Sequence, residues 1–306
     1  MQFAITHPMH SHPYNPELAT GGGIAKVAAA AEKAGFGGFG FTDHPAPTQR
    51  WLESGGHDAL DPFVAMGFAA AHTTTMRLIP NIVVLPYRNP FVVAKAGATL
   101  DLISDGRFTL AVGVGYLKRE FTALGVEFDE RADLFEEALH VIREVWTTDD
   151  LSFDGKHFSA KGITAHPKPV SAPHPPIWVG GNTSAARARV ARYAQGWCPF
   201  RAPALLAQTA RTAALESTEQ LSAGIDDLRR RLDEVGRDPS GVDITFTNDA
   251  GGTPGCEDFN ADQFLSGAEE LAQIGVTWIQ VTVPGDSLAH AVEAIEGFGE
   301  TVIGRL

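Results

Sequence analysis

Cysteine is scarce in this 306-residue chain: Cys198 and Cys256 are the only two, far apart and without metal-ligand spacing. A disulfide framework is not expected, and a reducing cytoplasm is the default compartment. Basic charge is also in deficit. Twenty-four Lys and Arg face 37 Asp and Glu, a formal net charge of -13, which argues against nucleic acid or an anionic membrane as a partner. A small anionic ligand is still allowed, because backbone N–H groups at a helix start can hold phosphate. No apolar run approaches membrane-spanning length. The start, Met1-Gln2-Phe3-Ala4-Ile5-Thr6, lacks the basic-then-apolar order of a secretory signal. There is no Walker-type lysine loop and no serine nucleophile elbow.

What is present is a regular alternation. Gln2–Thr6 reads as a short buried strand, and the Ala-rich Ile24–Ala34 as a helix stopped by Gly35. Phe39–Thr42 is a second strand, Asp61–Thr73 a helix, and the Ile/Val-rich Arg77–Leu85 a third strand. Pro90 opens a helix to about Leu102, and Arg107–Val112 is the fourth strand. Asp129–Thr147 is amphipathic, with Leu134, Ala138, Val141 and Val145 on its apolar face. Leu151–Pro176 mixes aromatics, Gly and Pro and reads as an inserted hairpin or ordered loop. Further strands are expected at Pro176–Val179, Gly196–Pro199, Val242–Thr247 and Val276–Val283, each followed by helical sequence. Strand then helix, eight times, is the arithmetic of an α/β protein built as a (β/α)8 TIM barrel, here a single domain over 1–306 with an insertion at about 151–176 between the fourth helix and fifth strand. A doubly wound sheet would need a glycine fingerprint after the first strand, and His7-Pro8 stands there instead.

In such a fold the strand ends meet the ligand. Phe39-Gly40-Phe41-Thr42 ends in Asp43 and His44, with Pro45 preventing continuation. Histidine is a residue type suited to proton transfer near neutrality, and adjacent strand residues face opposite ways, so Asp43 and His44 can have different jobs. Gly180-Gly181-Asn182-Thr183-Ser184 joins a strand to a helix start and reads either as a phosphate clamp or as a plain N-capped turn. Gly113-Val114-Gly115-Tyr116 lets a flat ligand approach the backbone, with Tyr116 able to pack on it or bond to it, although a Gly-x-Gly is equally a simple turn. Asn81 is out of place in its apolar strand and is expected at a polar edge, whereas Val83 and Val84 read as barrel interior. His7, His10 and His12 share the first strand end. No carboxylate or cysteine accompanies them at ligand spacing, so they are read as substrate contacts and not as metal ligands. Cys198 reads as an inert buried thiol.

Five ordered blocks carry a family resemblance: Thr42-Asp43-His44-Pro45, Leu85–Pro90, Ala98–Arg107, Val112–Phe121 and Pro176–Asn182. Together they resemble the luciferase-like monooxygenase superfamily, most closely its actinobacterial branch of F420-dependent oxidoreductases. The resemblance runs from about Phe3 to Phe200 and again, more loosely, over the last two strands. It implies a non-prolyl cis peptide on the third strand, best matched by Asn81–Ile82, behind a deazaflavin or flavin ring. It also implies Asp43 near the ring edge, His44 as the proton-transfer group, and Gly180, Gly181, Asn182 and Thr183 at the cofactor phosphate. A sugar-phosphate dehydrogenase of the superfamily has a glutamate directly after the Gly-x-Gly. Tyr116 stands there here, which makes it a second candidate for catalysis and argues against the same substrate.

The function so implied is hydride exchange between coenzyme F420 and a small organic substrate. The alternatives are a monooxygenase using reduced FMN and a non-catalytic flavin-binding barrel. A homodimer follows from the resemblance alone, and the substrate pocket is expected to be shaped by His7–Pro13, Pro45–Gly56 and Leu151–Pro176.

Overall fold

A computed structural model describes residues 1–306. The chain begins β1 (Gln2–Thr6), α1 (Gly21–Lys33), β2 (Gly38–Gly40), α2 (Gln49–Glu53), α3 (Pro62–Ala70), β3 (Arg77–Leu78) and β4 (Val83–Val84). It continues through α4 (Pro90–Ile103), β5 (Leu110–Gly113), α5 (Lys118–Ala123), α6 (Arg131–Thr147), β6 (Leu151–Asp154), β7 (Ser159–Ile163), β8 (Ile177–Gly180) and α7 (Ser184–Tyr193). It ends with β9 (Gly196–Cys198), α8 (Ala204–Thr209), α9 (Thr218–Glu234), β10 (Asp243–Thr247), α10 (Ala261–Ile274), β11 (Trp278–Val281) and α11 (Leu288–Thr301).

Nine strands form one curled parallel sheet in the order β3-β2-β1-β11-β10-β9-β8-β5-β4. Its ends return toward each other: Leu78 of β3 makes a parallel bridge to Phe108, just ahead of β5. The expected third strand is not continuous. It divides into β3 and β4, because Pro80 between them has no N–H to give to a neighbour. Directly after it the Asn81–Ile82 peptide is cis. β6 and β7 pair antiparallel as a separate hairpin. The hairpin is held down by Glu137 of α6, whose carboxylate accepts the amides of His157 at 3.0 Å and Phe158 at 2.8 Å.

Period-two alternation sorts the strand residues. Phe3 and Ile5, Leu110 and Val112, Ile177 and Val179, and Ile279 and Val281 point outward into the core shared with the helices. Their neighbours Ala4, Ala111, Trp178 and Trp278 point inward and, with Ile79, make a separate apolar cluster inside the sheet. The two indoles pack edge to face at 5.5 Å between centroids. They need small neighbours: a Cβ at Gly196 would lie 2.2 Å from Trp178, and one at Gly38 would lie 3.2 Å from Trp278. Two tryptophans thus plug the interior, and everything inward-facing further along the strands sits above that floor.

The helices close over this sheet with their apolar faces. α6 buries Phe135, Ala138, Leu139, Val141, Ile142, Val145 and Trp146, while Leu134, expected on that face, is only half buried. The buried stripe is centred one position later than the expected one, and Trp146 anchors it by donating to the Ala94 carbonyl at 2.8 Å. Helix starts are capped by side-chain oxygens, among them Thr20, Asp61, Asn89, Thr183 and Ser287. No helix is long and apolar enough to cross a membrane.

Candidate functional site

Two residues beyond the inward tryptophan layer, the same alternation turns Gly113, Gly180 and Gln280 toward the axis at the C-terminal ends of the strands. They border a cavity of about 600 Å³ together with Thr245 and Thr247 of β10. The glycines are a steric necessity. A Cβ would come within 2.5 Å of Ile82 Cδ1 at Gly113 and within 2.4 Å at Gly180. Ile82 therefore lies over two bare backbones and presents its side chain as an apolar shelf to the cavity. Gly115, at φ +81, makes the turn out of β5 that brings Tyr116 to the wall. Asn81 is exposed to the cavity, as its polarity required. It donates to Thr6 Oγ1 at 3.0 Å, and the same oxygen receives Gln280 Nε2 at 2.8 Å. The wall at Asn81 and Gln280 is polar, and the shelf at Ile82 is apolar.

Asp43 and His44 separate, as expected for neighbours at a strand end. Asp43 is 3% exposed, and its carboxylate accepts the Val84 amide at 2.8 Å and the two-pronged guanidinium of Arg88. Burial pushes the Asp43 carboxyl up from the ordinary value, while the Arg88 and Val84 hydrogen bonds pull the other way. Burial likewise opposes the charge on Arg88, but its bonds to Asp43 and Asp61 overcome this and hold it charged. Asp43 borders the cavity while tying β2 to β4, the strand half beyond the cis peptide.

His44 faces a partner that the sequence reading had not singled out. Its Nδ1 lies 3.1 Å from Glu120 Oε2. Glu120 is fully buried and also accepts Tyr87 Oη at 2.8 Å and the Ala46 amide at 3.1 Å. A carboxylate at Nδ1 makes that nitrogen the donor, so the other ring nitrogen, Nε2, is left without a partner in the chain, at the cavity wall. The imidazole is packed from the sides by Trp51, at 4.5 Å between centroids, and by His57 at 5.0 Å. Tyr116 stands 6.2 Å from it, with its phenol pushed up to about 12 by burial and by the Glu120 charge. Near neutrality Tyr116 is a hydrogen-bond donor and not a base. Burial lowers His57 and so favours its neutral form.

At the other end of the cavity, β8 runs through Gly181, at φ +112, into α7. The free backbone donors are not those of the glycines. Gly181 gives its amide to Cys198 O at 3.1 Å, and Asn182 gives its amide to Thr212 Oγ1 at 3.1 Å. Thr183 Oγ1 caps Ala186 N. What remains for an anion is the first turn of α7, where Ser184 and Ala185 have no intrahelical acceptor. Asn182 is not at the cavity wall. Its buried amide group bonds Phe200 O, Ala213 O and Phe200 N, tying this turn to the segment after β9. Arg131, Arg189 and Arg211 flank the same end.

Several loop expectations fail for plain reasons of packing. His7, His10 and His12 do not border the cavity. His7 is buried with Nε2 on Leu18 O at 2.9 Å, and His12 Nδ1 pairs with Asp58 at 2.9 Å. Burial lowers both His7 and His10 to about 4, which keeps them neutral. No residue of Leu151–Pro176 reaches the cavity either, since that hairpin lies on α6. Cys198 does line it, as a thiol that burial holds protonated. Nothing local in the sequence marks Glu120; only the fold separates it from its neighbours in the turn of α5, where Lys118 and Arg119 are exposed while Glu120 and Phe121 are buried.

An apolar shelf over bare glycines, a polar wall and a helix start fit a flat heterocycle carrying a phosphate. Comparison with known proteins agrees. The family model described as luciferase-like monooxygenase matches residues 1–248. An FMNH2-dependent dimethylsulfone monooxygenase from Pseudomonas putida is 33% identical over 55% of this chain and 45% of its own length. An F420-dependent glucose-6-phosphate dehydrogenase from Nakamurella multipartita is 31% identical over 69% of this chain and 60% of its own length. The chain therefore spans less than two thirds of either relative. Among solved structures, monooxygenase RslO1 from Streptomyces bottropensis superposes with a TM-score of 0.80 at 21% identity, over 100% of this chain and 99% of that one.

Proposed function

The chain belongs to the luciferase-like monooxygenase family, and on that premise we propose that it is an F420-dependent oxidoreductase acting on a small organic substrate. In this reading β3 and β4 are halves of one strand, the curled sheet is a (β/α)8 barrel, and the β6–β7 segment is an insertion in it. The observation that carries the activity is the buried Glu120–His44 pair, 3.1 Å apart, at the wall of a cavity whose glycines leave room for a flat ring.

When bound, a deazaflavin supplies a carbon that gives or takes a hydride. Ile82, Gly113 and Gly180 would hold one ring face, with Asn81 and Gln280 at its polar edge. The first turn of α7, with Thr183 and Gly181 beside it, would hold the phosphate. The hydride changes the charge on a substrate oxygen, and a proton has to follow. His44 Nε2 is placed to donate or accept it, while Glu120 keeps Nδ1 protonated and stabilises the imidazolium that forms when Nε2 takes a proton. Tyr116, held as a phenol, would hydrogen-bond the same oxygen. Trp51 and His57 pack around the imidazole and keep water from it.

A proton donor held by a buried carboxylate is what carbonyl–alcohol interconversion requires. The FMNH2-dependent relative gives a second reading, reduced flavin with oxygen, on the same scaffold. Fluorescence titration separates the two. We expect saturable F420 binding at micromolar concentrations or below. Clear FMN binding, with none of F420 at those concentrations, would overturn the proposal.

A further inference from the structure

His57 is the one imidazole besides His44 that borders the cavity. It stands on the loop between α2 and α3, where packing fixes its place. The Gly56 amide donates to Trp51 O at 3.0 Å, and a Cβ at Gly56 would lie 2.4 Å from the indole. His57 Nδ1 is 3.2 Å from the Asp58 carbonyl oxygen. That oxygen can only accept, so Nδ1 carries the ring proton. In the neutral ring Nε2 is then a bare lone pair, and it has no partner in the chain. Burial outweighs the Asp58 carbonyl bond and the Asp58 and Glu120 charges, all of which favour protonation, while His44 opposes it. The Asp58 carboxylate is itself taken by His12 Nδ1 at 2.9 Å and by the Tyr14 amide at 3.2 Å. His57 meets His44 edge to face at 5.0 Å between centroids and Trp51 at 5.5 Å. A phenylalanine would pack against His44 equally well. The unspent lone pair is what packing does not account for.

We propose that His57 determines specificity: its Nε2 accepts a hydrogen bond from a hydroxyl on the carbon next to the reacting one, so that the substrate is a 2-hydroxy ketone in one direction and the vicinal diol in the other. The inference rests on the oxidoreductase reading above, in which His44 Nε2 serves the reacting oxygen. In the diol direction the carbinol C–H bond breaks and its hydride passes to the oxidised deazaflavin. The proton of the same carbinol goes to His44 Nε2, and the neighbouring hydroxyl does not react. Two oxygens of one small molecule, on adjacent carbons, suit two rings this close, with one hydrogen bond to each. The second group has to be a donor, because a carbonyl or carboxylate would set its lone pairs against that of Nε2. A neutral hydroxyl suits a wall where burial already opposes charge.

Nitrogen-15 NMR of labelled histidine, with and without F420, reads the ring directly. At pH 7 the His57 signals, assigned by their loss in His57→Phe, should show a protonated Nδ1 and a bare Nε2. Adding 3-hydroxybutan-2-one should shift Nε2, and butan-2-one, which lacks only the hydroxyl, should not. With reduced F420, kcat/KM for the hydroxy ketone should exceed that for the plain ketone by about 10- to 100-fold. In His57→Phe, which keeps a ring against His44 but removes the acceptor, the ratio should fall to about twofold or less. His57→Gln, whose amide oxygen can accept in the same direction, should keep a ratio of several-fold. A charged ring or a protonated Nε2 at pH 7 would overturn the inference. So would equal kcat/KM for the two ketones, an undiminished ratio in His57→Phe, or neither shift nor turnover with the hydroxy ketone at about 100 mM. Absence of F420 binding would overturn the cofactor reading instead, and the Nε2 shift measured without F420 would then decide the hydroxyl site by itself.

Discussion

The two ends of the sheet use charge in opposite ways. At the N-terminal ends of the strands, charged side chains are spent on backbone. Arg107, ahead of β5, gives Nε to Ser104 O, Nη1 to Thr73 Oγ1 and Met76 O, and Nη2 to Ala70 O and Thr73 O. Arg237, ahead of β10, holds the carbonyls of Val190, Ala191 and Ala194 at the end of α7. Glu32 at the end of α1 accepts the amides of Thr74, Thr75 and Met76. At the C-terminal ends, polar groups are braced from behind and open in front: His44 has Glu120 at its back and nothing at Nε2, and Arg211 lies over the Phe128 ring at 4.9 Å with no hydrogen bond or ion pair from its side chain. A group fully bonded to backbone can only stabilise the fold, whereas a group with one face unspent can act on a ligand.

That contrast breaks most visibly at Glu120. Glu120→Gln keeps size but removes the charge that orders the imidazole and supports its protonated form. Turnover should fall on the order of 10²- to 10³-fold. Cofactor affinity should stay within about twofold, because Glu120 touches no cavity surface. Steady-state kinetics on any substrate found, run beside the cofactor titration, read both. Loss of cofactor affinity in step with activity would make Glu120 a folding residue and not a positioning one.

At the other end the signs reverse. Arg107→Ala should leave cofactor affinity unchanged and cost about 2–4 kcal/mol of stability, since it strips a charged donor from four carbonyls, those of Ala70 and Thr73 at and after the end of α3, Met76 ahead of β3 and Ser104 after α4. Urea unfolding followed by circular dichroism measures the loss. A variant as stable as wild type, or one that loses the cofactor before it loses the fold, would erase the distinction between the ends.

Much of this division is legible in the chain itself, and the part that is not has a common cause. Alternation in Ile177-Trp178-Val179-Gly180 and Trp278-Ile279-Gln280-Val281 already separates core, plug and cavity residues. Asn81, a polar residue in an apolar strand, faces the polar edge that its type predicts. Strand periodicity is a local signal, so these readings survive folding. Glu120 and Arg88 were not legible as site residues, because their partners His44 and Asp43 are 76 and 45 positions away. Gly180–Ser184 is recognisable in sequence as a candidate anion turn, but which of its amides stay free depends on Cys198 and Thr212, which come from later units. Leu151–Pro176 is expected among the loops that shape the pocket, yet Glu137 holds the β6–β7 hairpin against α6.

The smallest effect sharpens the comparison through acid. Burial lowers His7 and His10, beside the rim, to about 4 from an ordinary 6.5. The unfolded chain takes up those protons first, so their contribution is intact above pH 6.5 and is lost as pH falls from there toward 4. Glu32, at the base, behaves as a depressed carboxylate. Burial works to raise it, but the Thr75, Met76 and Thr74 hydrogen bonds prevail and hold it at about 2 against an ordinary 4.5. Its contribution is intact above pH 4.5 and is lost only as pH falls toward 2. The rim should therefore weaken before the base does. Urea midpoints measured from pH 7 to 3 should fall in two stages. His10→Gln should flatten the stage between 6.5 and 4, and Glu32→Gln, which costs about 1 kcal/mol at neutral pH given its partial exposure, should flatten the later one. If Glu32→Gln flattened the earlier stage instead, the two ends would not be independent in acid, and the division of charge between them would be wrong.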